Sequence, residues 1–112
     1  MDALEQSRYI RRAYLRVMDH FLQKKFLLRL AAVRCENRNW YDRQLRMADL
    51  LSAQVDAALM QADPHRALRY VCALSACMRK LKERANRDFD AIEGRLIRQG
   101  GSRSANTSGW RI

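Results

Sequence analysis

The sequence predicts an all-α protein: an antiparallel three-helix bundle or extended helical hairpin with long first and third helices, followed by a flexible C-terminal tail. Three observations predict it. Pro64 is the only proline and the four glycines all lie beyond residue 93, so the chain before them carries almost no punctuation. Apolar residues recur at three-and-four spacing on either side of Asn37-Arg38-Asn39 and of Asp63-Pro64. At 112 residues the chain is one domain, large enough to bury a modest core without disulfides.

The first helix is predicted over 2–37. Asp2 and Glu5 have the spacing of a capping box, with aspartate in the place usually held by Ser or Thr. Ile10, Tyr14, Val17, Phe21, Leu28, Ala31 and Cys35 then form one apolar stripe, and the apolar run from Phe26 to Val33 asks for neighbours on two sides. A bend near Gln23-Lys24-Lys25 is compatible with the sequence, but no residue forces it. Asn39 is the expected cap of the second helix, 39–62, whose inner face is Tyr41, Leu45, Ala48, Leu51, Val55, Ala58, Leu59 and Ala62. Asp63-Pro64 is a cap and first-position pair, so the third helix, 64–98, follows after a tight turn. Its seam runs Leu68, Val71, Leu74, Met78, Leu81, Ala85, Phe89, Ile92 and Leu96 over roughly 50 Å. The second helix is too short to cover the far end of the third, where a protein partner or a second copy is expected. These helices form a single domain over 1–99, and residues 100–112, GGSRSANTSGWRI, have the composition of a flexible tail in which Trp110 would need a partner to hold it.

The formal net charge is +10, and 18 of the 22 basic residues are arginine. Guanidinium favours bidentate contact with phosphate or carboxylate, so an acidic partner is expected, although base composition of the coding DNA produces the same bias. Residues 1–38 hold nine basic and four acidic groups, 39–63 two and four, and 64–112 eleven and four, so the chain reads basic, acidic, basic. Arg8, Arg12 and Arg16 fall four apart with Arg11 one position round, and Lys80, Arg84 and Arg87 form a second row. Such rows follow a phosphate backbone or simply stay solvated. Asp42, Asp49, Asp56 and Asp63 recur every seven residues, a line too widely spaced to share a metal and suited to pairing with arginines of the other helices or of a partner. At the helix start, Arg38, Trp40, Tyr41 and Arg43 combine aromatic and basic groups, a mixture that stacks bases or anchors a protein contact; alternatively Trp40 folds back to staple the helix.

No metal, cofactor or catalytic residue is expected. Cys72 and Cys77 sit about 140° apart on a helix, so they neither bridge nor chelate together, and His20 and His65 lie elsewhere. Glycine-rich phosphate loops, nucleophile elbows and HExxH patterns are absent from the sequence, and Asp19-His20 or His65 with Cys72 lacks a third catalytic partner. Three cysteines and no apolar leader suggest reduced thiols and an intracellular location, cytoplasmic or organellar without an evident presequence. No apolar run is long enough to span a membrane.

The segments RAYLRVMDHF, residues 12–21, and VRCENRN, residues 33–39, resemble the mitochondrial LYR-motif proteins. Tyr14, Arg16 and Phe21 fall near that motif, and Ala13 stands where it has leucine. The resemblance implies a small basic three-helix adaptor that docks on acyl carrier protein and on respiratory or iron–sulfur assembly partners. The residues themselves suggest a non-catalytic helical accessory protein that binds nucleic acid or a ribonucleoprotein through its arginine rows. The alternative is a protein–protein adaptor or assembly factor for an acidic partner.

Overall fold

A computed structural model describes residues 2–99 as four helices in a single up-down-up arrangement: α1 (Ala3–Phe21), α2 (Lys24–Arg34), α3 (Arg38–Met60) and α4 (Pro64–Gln99). The tail and Trp110 lie outside the described residues. The long first helix of the sequence reading is therefore two. Helical geometry stops at Leu22, and Gln23 is extended with ψ 139°. The break has a packing reason. Phe21 and Phe26 both enter the core and meet edge to face at 6.5 Å, whereas on an unbroken helix five residues would set them about 140° apart.

Restarting the helix also shifts its phase. Phe26, Leu30 and Val33 are buried, while Leu28, Ala31 and Cys35, expected inside on a continuous helix, face out. The stripe of α3 matches the sequence reading at Tyr41, Ala48, Val55 and Ala58; Ala62 is exposed. On α4, Val71, Leu74, Met78, Leu81 and Ala85 are buried as the seam requires. At its ends Ala67 replaces Leu68 inside, and Leu96 is exposed.

The helix ends follow the residues there. Asp2 caps α1 by accepting a hydrogen bond from the Glu5 N–H at 2.8 Å. Asn37 rather than Asn39 precedes α3, and its side chain makes no cap hydrogen bond. At the end of α3, Ala62 N–H donates to Leu59 O and Asp63 N–H to Ala58 O, the crossed pair that closes a helix when the next residue is left-handed. Ala62 supplies that conformation, with φ 54°. Asp63 then accepts from the Arg66 N–H and starts α4 at Pro64.

α4 is the central strut. α3 runs antiparallel along one flank, with Cys77 against Gln44 and Tyr41 donating to Asp88. α1 and then α2 follow the other flank in the same direction as α4, as the contacts His20–Lys82, Arg29–Asn86 and Glu36–Arg95 show. The first 34 residues thus lie along α4 in succession and do not fold back as a hairpin of their own. The assembly measures 64 × 25 × 14 Å with a radius of gyration of 18.3 Å, against about 13 Å for a compact domain of 100 residues. The protein is a flattened, elongated bundle in which α1, α3 and α4 share one core at Ile10, Val55, Ala58, Ala67 and Val71.

Candidate nucleic-acid interface

The docking of α1 on α4 leaves an open cleft of about 640 Å³. α1 contributes Arg16, Val17, His20 and Phe21 from its last two turns. α4 contributes Ser75, Arg79, Lys82, Glu83 and Asn86, of which Ser75, Arg79, Lys82 and Asn86 fall at four-three-four spacing and form one polar row facing α1. Phe21 is buried in the cleft floor, and the Lys82 ammonium lies 5.7 Å from its ring centroid. Lys82 also contacts His20 Nε2 at 3.1 Å, where the ammonium can only donate. At the lower end Arg29 donates to Asn86 Oδ1 at 2.9 Å and lies over the Phe89 ring at 5.3 Å.

Arg16, Arg79 and Lys82 make no ion pair. Among the described residues the ion pairs engage Arg34 with Asp42, Arg84 with Asp88 and Arg95 with Glu36. Three cations and one carboxylate, Glu83, therefore line a groove whose base is an aromatic ring. The exposed cations can meet an anion, while the Phe21 ring, buried and covered by Lys82, supports the groove from below and offers no open face for stacking.

The residues singled out from sequence divide by position. Arg8, Arg11, Arg12 and Arg16 are all exposed on α1, but the helix spreads them: Arg16 lines the cleft, Arg12 and Arg8 step away from it by about 40° per turn on the outer side, and Arg11 turns toward α3. Lys80 and Arg87 are exposed on the opposite flank of α4, beside α3. Arg84, in the same row, is half-buried and already engaged: its guanidinium covers Trp40 at 5.1 Å and bonds Asp88 at 3.0 Å. The two basic rows consequently do not merge into one surface.

At the start of α3, Arg38 and Arg43 are exposed. Trp40 packs edge-on against Tyr41 at 4.9 Å, under Arg84, so it folds onto the bundle. Tyr41 is fully buried and donates to Asp88 Oδ2 at 2.7 Å, which leaves its ring no face for a base. Burial, with the hydrogen bond and charge of Asp88 behind it, raises the Tyr41 phenol well above the ordinary tyrosine value. Cys35 and Cys72 are exposed and Cys77 is half-buried; burial pushes the Cys77 thiol up, against a smaller opposing effect of Lys80.

The sequence alone does not mark Arg79, Lys82 or Asn86, and it raises His20 only as a metal ligand or catalytic partner. The four-three-four spacing of Ser75, Arg79, Lys82 and Asn86 is the signal from which their row could be read. Among the described residues no three His, Cys, Asp or Glu side chains come together as metal ligands, and no helix is long and apolar enough to cross a membrane. Compared with protein-family models, curated proteins and solved structures, the chain matches none.

Proposed function

We propose that this protein is a non-catalytic helical accessory protein that binds nucleic acid, free or within a ribonucleoprotein, through the α1–α4 cleft. The observation that carries the reading is the set Arg16, Arg79 and Lys82, unpaired and lining one groove above the Phe21 ring. Arg12 lies just outside the groove on α1, and Lys80 and Arg87 offer a second phosphate contact on the far side of α4. Cations of this kind neutralise phosphates and release counterions, which gives affinity with little sequence preference. Fluorescence polarisation with labelled single-stranded RNA across a salt series tests the proposal. Expected is binding that weakens steeply with salt and is indifferent to base sequence. Absence of binding at low salt, or unchanged affinity in an Arg16→Gln, Arg79→Gln, Lys82→Gln variant, overturns it.

A second reading, a protein adaptor for an acidic partner, is favoured by Leu96 and Ile97, which the end of α4 leaves exposed beyond the reach of α3. Replacing both by serine would then abolish capture of the partner and leave RNA affinity unchanged.

A further inference from the structure

The bundle is flat, 14 Å in its thinnest dimension, so much of its surface lies on two broad sides. On the side away from α4, α1 and α3 meet along a seam marked by the Tyr14 hydroxyl bonded to Ser52. Leu4, Leu15 and Leu22 fall within about 20° of one line on α1. That line flanks the seam, and the three are 61%, 53% and 51% exposed; Met60 of α3, on the same side, is 87% exposed. Among the described residues nothing covers these apolar side chains.

The charges beside it are of both signs. Asp42 faces the α1–α2 side of α3, because it is paired with Arg34. Asp49 and Asp56 follow it at seven-residue spacing and share that side, yet both are exposed and unpaired. Arg11 on α1 turns toward the same seam, and Arg8 stands beside the leucine line. Tyr14 stands opposite Ser52 and the helices are antiparallel, so Arg11 and Asp56 lie at one level without forming an ion pair.

We propose that this face is a self-association surface, occupied by a second copy of the chain related by a two-fold axis along the α1–α3 seam. That operation lays α1 of one copy over α3 of its partner at the same level. Arg11 and Arg8 then flank Asp56 of the partner subunit, the leucine line is covered, and the same contacts repeat across the axis as an isologous interface requires. A patch carrying cations, carboxylates and leucines together is complementary to itself, whereas its aspartates repel a phosphate backbone. The broad face, 64 × 25 Å in outline, also exceeds the roughly 800 Å² per partner of a standard stable interface. α4 and its cleft point outward in the pair, so the dimer and the nucleic-acid reading stand or fall separately.

Sedimentation velocity on the full chain tests this, with circular dichroism as the check on folding. The native protein is expected to be a dimer, and Leu15→Glu, at an exposed position, a monomer of unchanged helicity. Arg8→Glu with Arg11→Glu, and separately Asp49→Arg with Asp56→Arg, each gives a monomer, and mixing the two variants restores a one-to-one dimer because each now supplies what the other lacks. A native monomer, a dimer that survives either charge reversal, or a mixture that stays monomeric overturns the proposal.

Discussion

Tyr41 joins α3 to α4 through both its ring and its hydroxyl. Its ring fills the core between α3 and α4, its hydroxyl bonds Asp88, and Asp88 in turn holds Arg84 over Trp40. Tyr41→Phe keeps the ring and removes the donor, and is expected to cost about 1–2 kcal/mol in a urea melt, since Arg84 still satisfies Asp88. The same substitution has a signature in alkali. The folded phenol titrates above its unfolded value near 10, so the folded state holds its proton after the unfolded chain has lost it. The contribution is fully present below about pH 10 and is lost as pH rises toward the folded value. Melting temperatures measured upward from neutral pH should therefore fall less steeply for Tyr41→Phe than for the native protein. Equal slopes would mean that the Tyr41–Asp88 contact is not kept in solution.

Among the helices, the sequence foretells most where the local signal and the packing agree. Asp2, Asp63-Pro64 and the stripe Tyr41, Ala48, Val55 and Ala58 belong to that kind, because caps and periodicity act within one element. The break at Leu22–Gln23 is only half legible: the sequence allows a bend near Gln23-Lys24-Lys25 but no residue there forces one, and what interrupts the helix is the burial of Phe21 and Phe26 against α4 and α3. Once the break is made, every position of α2 is rotated, which is why Leu28 and Leu30 exchange the roles their spacing implies. The end of α3 shows the opposite case, in which local chemistry is suboptimal and the turn forms anyway. Ala62 is held at φ 54°, where a Cβ is unfavourable. Ala62→Gly is expected to stabilise the fold by about 0.5–1 kcal/mol, seen as a higher urea midpoint at unchanged slope. A lower midpoint would mean that the turn is not left-handed at this residue.

For the molecule as a whole, the decisive quantity is the azimuth at which α1 meets α4, which no single helix encodes. It brings Arg16 beside Arg79 and Lys82, leaves Arg12 and Arg8 progressively outside the cleft, and turns Arg11 toward α3, so the basic residues of α1 do not form one surface. It also places the cleft and the Lys80–Arg87 pair on opposite flanks of α4, with α4 between them. Two phosphate contacts so separated should act independently. Replacing Arg16, Arg79 and Lys82 by glutamine is expected to reduce the salt slope of RNA binding by about 2, at roughly 0.7 per contact on a single strand, and replacing Lys80 and Arg87 by about 1.4. If one strand wraps both flanks, the two losses add in the five-site variant. If only the cleft is used, the Lys80 and Arg87 substitutions leave the slope unchanged, and the flank beside α3 is then a solvated surface with Arg84 serving the fold alone.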